Sequence, residues 1–327
     1  MKRILIIRYG ALGDTLLLLP FLRSLEARDP GVELGLAGSR ERLQWLAGQT
    51  RRGQFHEIDL LLSRLSDLEA EPDGEARAFF SAWDWIVHFT SAAGGGILGA
   101  NLRRAGAALV SSVAALPPEG YARHAVFYPF DALGMASEHG QLSWRLNLGG
   151  FDVSARACGP RAPLALFPGA GSPAKRWPLS RWRVLLDAIL ERWERPLLWV
   201  LGPAEEEQEE YQSVGKEYAT TGQLEILQST PLRDLAARLS WAAAFIGSDC
   251  GVTHLASMLG LPTLALFGPS DPGRWGPLGE RTAVLWGARL LRYPEWLQEA
   301  FRPLSTGLPA TSPETILGWV REVIPES

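Results

Sequence analysis

The sequence predicts an α/β protein built from two doubly wound halves, and three observations carry that prediction. A short β-branched run near the N-terminus, "RILIIR", empties into a glycine-bearing turn, "YGALGD", and then a leucine-rich helix. The same strand-then-glycine theme restarts at mid-chain in "APLALFPGAG". A length of 327 residues, 46% hydrophobic and 21% charged, suits two domains of ordinary size with sizeable cores.

Each element follows from its pattern. "RILIIR" is continuous, short and β-branched, as a buried parallel strand should be. Leu18, Leu22 and Leu25 stand at helical spacing in the next segment. Pro20 lacks an amide hydrogen, so that helix kinks there or becomes regular only near it. Residues 32–38 and 83–89 read as further strands, with a helix beginning at 41–46 between them. That alternation implies a doubly wound sheet. "DLEAEPDGEARA" reads as an acidic, solvated loop, and apolar periodicity fades toward a linker near residues 152–160. This gives halves of 1–155 and 156–327. In the second half, "SRWRVLLDAILERW" puts Trp182, Leu185, Leu186, Ile189 and Trp193 on one helical stripe. "PLLWVLG", "AAFIGSD" and "PTLALFG" are strands, and "AEEEQEEY" opens an acidic helix whose charges mostly face water. Ser312 followed by Pro313 is a cap-then-proline helix start. Such halves place ligands at strand C-termini and in the crevice between them.

Bulk properties exclude several classes. A net charge of −4 argues against a general nucleic-acid binder, which needs basic excess. Cys158 and Cys250 lie far apart and offer neither a disulfide framework nor zinc-ligand spacing. The N-terminal apolar run is cut by Arg8, unlike a secretory leader, and no stretch has the ~20 apolar residues of a membrane span. The expected setting is the cytoplasm, with peripheral contact at the inner face of the membrane left open.

Three constellations could carry chemistry. In "GALGD", Gly10 and Gly13 let the backbone approach a ligand closely on a strand-to-helix turn. Asp14 there is either a helix cap or a general base. "PGAGSPAKRWPLSRW" offers Gly169, Ser172 and Lys175 ahead of a helix, a set suited to a diphosphate; the plain alternative is an ordinary loop with a solvated Lys-Arg pair. In "FIGSDCGVTHLASMLG", Gly251, Val252 and Thr253 start a helix whose free amides attract phosphate. Asp249 and His254 each have a structural reading, as a cap and as a packed side chain. A sugar-phosphate ligand reconciles the carboxylate with the anion site. The amides take phosphate while Asp249 accepts hydrogen bonds from sugar hydroxyls.

With "KRILIIRYGALGDTLLLLPFLRSL", "LFPGAGSPAKRWPLSRW" and "GSDCGVTHLASMLGLPTLALFGPSDPGRWGP" in this order, the chain resembles glycosyltransferase family 9, the heptosyltransferases, across nearly its whole length. The resemblance implies a GT-B fold, two Rossmann-like domains facing each other across a cleft. It implies inverting transfer of a heptose from an ADP-sugar donor to a lipopolysaccharide-core-like or other glycan or glycolipid acceptor, with no cofactor and no obligatory active-site metal. Asp14 matches the catalytic base, with Gly10 and Gly13 on the acceptor side. Lys175 matches a lysine on the donor diphosphate, and Asp249 the aspartate that holds the sugar's hydroxyls. Gly251 and His254 match the helix start lying on the donor, while Ser172, Thr253 and Gly169 match donor-loop contacts more weakly. Arg274 is a candidate second phosphate contact. Cys250 and Val252 depart from the threonine and the proline or leucine common in the family. A GT-B enzyme using another nucleotide sugar, and a non-catalytic nucleotide-sugar-binding protein, are the competing readings. A dehydrogenase would need a dinucleotide fingerprint after a strand, which this sequence lacks. The thirteen tryptophans read mostly as core. Arg103 and Arg104 read as a solvated pair, with contact to anionic lipid as the other reading.

Overall fold

Short apolar runs in this chain become strands that are buried on both faces. The structure is a computed structural model that describes residues 2–67, 71–90, 95–137, 142–147, 159, 161–297 and 311–324. It divides into two compact units, Met1–Trp144 and Arg145–Ser327. The Leu146 amide donates to the Met258 carbonyl at 2.8 Å, which ties the chain to the second unit from that point. The linker expected at 152–160 lies, apart from residue 159, outside the described residues, as does Cys158.

Among the described residues the first unit holds five strands, β1 (Arg3–Arg8), β2 (Glu33–Gly38), β3 (Gly53–Phe55), β4 (Trp85–Thr90) and β5 (Val110–Ala114). All are parallel, in the order β3-β2-β1-β4-β5. The chain moves outward from β1 on one side and returns to build β4 and β5 on the other. The reversal therefore falls between β1 and β4, where open α/β sheets bind ligands beyond the strand C-termini. Gly38, at φ 134°, lets the end of β2 run against β1; a Cβ there would lie 1.9 Å from the Arg8 carbonyl oxygen.

The second unit has β6 (Leu164–Phe167), β7 (Leu197–Val200), β8 (Leu224–Leu227), β9 (Ala244–Ser248), β10 (Thr263–Phe267), β11 (Thr282–Trp286) and β12 (Arg289–Arg292). Their order is β12-β11-β10-β9-β6-β7-β8, parallel except for β12. Its reversal lies between β6 and β9. The helical stripe expected after β6 is present over Leu179–Leu190, with Trp182, Leu185, Leu186 and Ile189 buried and Trp193 packed beside them. Trp177 and Trp182 meet edge-on at 5.1 Å, and Trp182 and Trp199 at 5.6 Å, so these rings are core.

Several local readings are corrected. The helix after β1 is two helices, Leu12–Leu16 and Leu19–Arg28, and the second becomes regular with Pro20 in its first turn, where a missing amide costs nothing. The acidic segment expected as a solvated loop includes the helix Gly74–Phe80, capped by the Asp73 carboxylate on the Ala76 amide at 2.8 Å. Arg103 and Arg104 are both exposed, as a solvated pair should be; Arg103 also donates to the Val110 carbonyl at 2.8 Å and Arg104 pairs with Glu71 at 3.7 Å. The acidic helix opened by "AEEEQEEY" is likewise two, Pro203–Glu206 and Glu209–Ala219; Glu207, Glu209 and Glu210 are exposed as expected, while Glu205 is buried. Among the described residues no helix is long and apolar enough to cross a membrane.

The helix start at Ser312 forms as expected. Its hydroxyl accepts the Thr315 amide at 3.2 Å, with Pro313 first in the helix Pro313–Val323. Replacing Ser312 by Ala should cost about 1 kcal/mol. In a unit of this size that lowers Tm by about 2–4 °C, which a thermal melt resolves.

Candidate active site

Asp14 stands just beyond β1, at the reversal of the first sheet. It is the third residue of the helix Leu12–Leu16, whose cap position is Ala11, so the carboxylate is not the cap. It is half-buried, and among the described residues it takes no hydrogen bond and no ion pair. Arg8, the last residue of β1, acts on it through space. Burial pulls the Arg8 guanidinium below its usual value, and the Asp14 charge opposes that shift. Gly10 and Gly13 flank the turn as expected. Arg42 pins it by donating to the Gly10 carbonyl.

The second site grows from the loops after β6 and β9, the two strands on either side of the second sheet's reversal. Residues 168–176 leave β6, pass through a short 3-10 turn at Pro173–Lys175 and end on the fully buried Trp177. Asp249 follows β9, its amide held by the Leu266 carbonyl at 3.1 Å. Cys250 is the cap residue of the helix Gly251–Met258, so Asp249 lies outside that helix and does not cap it. Its carboxylate instead meets the Lys175 ammonium at 2.7 Å. The Asp249 side chain is 5% exposed and that of Lys175 36%, so a buried anion is answered by a cation that reaches the surface. The puzzle of a carboxylate beside an anion-seeking helix start is thus resolved locally, because the lysine neutralises it.

Other predicted residues fall around this pair. Gly251 and Val252 are half-buried at the helix start, where amides have no partner inside the helix. Thr253 is fully buried, and its hydroxyl donates to the Ser248 carbonyl at 2.6 Å. His254 is buried one residue further along. Cys250 Sγ lies 3.4 Å from the Thr253 hydroxyl, and burial pushes its thiol up to about 11, so it is not a thiolate at neutral pH. Ser172 precedes the 3-10 turn and its carbonyl accepts the Lys175 amide at 3.0 Å. Arg274 follows β10, stacked 5.5 Å over Trp275 in a short helix capped by Asp271.

Two supporting residues were not legible in the sequence. Gly169 is bare because Glu205 fills its place, and a Cβ there would lie 2.1 Å from the Glu205 carboxyl carbon. Burial raises the Glu205 carboxyl above its ordinary range, against Arg176 and the amides of Gly202 and Ala170. Arg176, read as half of a solvated pair, donates from Nε to the Ala170 carbonyl and from Nη1 to Gln208, each at 2.9 Å. The Ala170 peptide is gripped at both ends, and the loop carrying Lys175 is fixed to its neighbours. Only the "KR" dipeptide after a glycine-rich turn hinted at this. Among the described residues, no three His, Cys, Asp or Glu side chains gather as metal ligands.

Residues 121–299 match the profile of Glycosyltransferase family 9 (heptosyltransferase). The chain belongs to glycosyltransferase family 9. A curated relative, lipopolysaccharide heptosyltransferase 1 of Pseudomonas aeruginosa, is 37% identical over 122 residues, which are 37% of this chain and 33% of the relative. The chain thus spans about a third of the length of the curated relatives it matches. Similarity of structure extends further. A family 9 glycosyl transferase from Veillonella parvula superposes with a TM-score of 0.72 at 20% identity, covering 100% of this chain and 98% of that one. An Escherichia coli heptosyltransferase solved with ADP gives 0.67 at 18% identity, covering 98% and 100%. The family 9 chain accordingly has the GT-B fold, of two doubly wound domains.

Proposed function

We propose that this family 9 protein is an inverting glycosyltransferase that moves a heptose, or a similar sugar, from an ADP-sugar to a lipopolysaccharide-core-like glycan. The observation that carries the reading is the Lys175–Asp249 pair at 2.7 Å, set beside a helix start at the reversal of the second sheet. A diphosphate is an anion with neutral hydroxyls close by, and this pair matches both. Lys175 turns to the phosphates, aided by the amides of Gly251 and Val252, and Asp249 accepts hydrogen bonds from the sugar's hydroxyls.

The reaction is one in-line displacement. The acceptor hydroxyl oxygen attacks the anomeric carbon as the bond from that carbon to the diphosphate breaks, so its configuration inverts. Asp14 takes the hydroxyl proton, and ADP leaves with its new charge held by Lys175 and the helix amides. Fixed donors of this kind supply the stabilisation that a metal ion supplies elsewhere. Each unit carries one half of this chemistry, the base in the first and the leaving-group site in the second.

A panel of ADP, UDP and GDP, free and as their sugars, tests the donor. Binding to the folded state adds about 2.7 kcal/mol at a hundredfold over the dissociation constant, a shift of several degrees in a thermal melt. The ADP species should stand out. Stabilisation by UDP or GDP species instead would move the reading to a different nucleotide sugar, and no response to any would remove it.

A further inference from the structure

Arg8 closes a strand whose middle, Ile4 to Ile7, is apolar, and it is only 6% exposed although charged. A buried guanidinium is costly unless its charge and its donors are used. Part of that use is visible. Nη2 donates to the Ala115 carbonyl at 3.0 Å, and the guanidinium lies 4.8 Å from the centre of the Phe89 ring. Phe89 belongs to β4 and Ala115 follows β5, so the arginine spans the reversal of the first sheet, where a ligand is expected. Nε–H is buried and has no partner among the described residues, and such groups in native proteins call for an explanation.

Gly10 lies beside that nitrogen. A Cβ placed on Gly10 would stand 3.7 Å from Asp14 Cβ and Oδ2 and 3.9 Å from Arg8 Nε, each an ordinary van der Waals distance. Gly10 is half-buried, so this point opens toward solvent. The unused donor and the unused carboxylate therefore border one small space above a residue that has no side chain to fill it.

We propose that Arg8 is a second acceptor-binding residue, whose Nε–H hydrogen-bonds the oxygen of the hydroxyl that Asp14 deprotonates. As the O–H bond breaks and its proton passes to Asp14, negative charge grows on that oxygen while its bond to the anomeric carbon forms. The guanidinium holds the oxygen through that change and stabilises the charge that grows on it. This inference rests on the reading of Asp14 as the base.

Three variants test it, Arg8→Met, Arg8→Lys and Gly10→Ala, assayed with ADP-heptose and heptose-deficient lipopolysaccharide. Arg8→Met should lower kcat/KM for the acceptor by about 10- to 100-fold, the value of one hydrogen bond from a charged donor. Arg8→Lys should recover part of that loss, because an ammonium still donates. Gly10→Ala introduces no contact closer than ordinary van der Waals distance, so it should fold normally and still lower kcat/KM by occupying the shared space. ADP affinity by calorimetry should be unchanged in all three. Wild-type kcat/KM in Gly10→Ala or in a folded Arg8→Met overturns the proposal, as does a loss in Arg8→Met that Arg8→Lys does not reduce. If Arg8→Met does not fold, Gly10→Ala alone decides. Asp14→Asn at wild-type turnover would overturn the reading of the base instead, so the two failures are distinct.

Discussion

Asp14→Asn lowers turnover by about 10²–10⁴-fold, the usual loss with a general base, and leaves ADP affinity unchanged. The separation is expected because the residue lies in the first unit, while the lysine and helix start proposed for the diphosphate lie in the second. Asparagine keeps the shape of the side chain and its place as third residue of the helix Leu12–Leu16. Folding should therefore change by no more than the few tenths to 1 kcal/mol that a first-turn carboxylate gains from the helix dipole. The loss should appear in kcat, since an amide can still accept a hydrogen bond from the acceptor but cannot take its proton. The carboxylate suits that task because no described hydrogen bond or ion pair engages it. Turnover within threefold of wild type, measured as ADP released per enzyme per unit time, would reduce Asp14 to a helix residue of no catalytic consequence.

The strands that matter most to the site were the most legible. "RILIIR" and "AAFIGSD" are apolar without interruption because they are buried on both faces, and burial leaves that mark on sequence. β3, with three residues, and β12, at the antiparallel edge, carry no such run, and edge strands rarely do. Asp14, Lys175 and Asp249 could be singled out because each follows a strand-and-glycine pattern. Arg8 and Glu205 could not. Each is a charged residue in a segment whose pattern spoke only for its element, and the importance of each comes from partners distant in sequence: Ala115 for Arg8, Gly169 for Glu205. The pairing of Lys175 with Asp249 is likewise a tertiary fact, produced by laying β6 beside β9.

That pairing makes the second large effect one of opposite signs. Lys175→Ala should weaken ADP binding by about 1.5–3 kcal/mol, roughly 10- to 150-fold, as the charge-assisted contact to phosphate disappears. Asp249→Asn should do the reverse for bare ADP. In the free protein the carboxylate claims part of the lysine's charge at 2.7 Å and repels an arriving diphosphate. Neutralising it leaves the ammonium to the phosphates, so ADP binds more tightly even as turnover of the ADP-sugar falls with the loss of the hydroxyl acceptor. A product that binds better and a substrate that reacts worse, in one variant, is a pattern that general damage to the fold does not produce. The double variant should bind ADP more tightly than Lys175→Ala and more weakly than Asp249→Asn, because it loses the repelling carboxylate but has no lysine left to unmask. Calorimetric titration of the four proteins reads all of this. If Asp249→Asn weakens ADP as much as Lys175→Ala, the two side chains serve one phosphate-binding function and the division of labour between them is wrong.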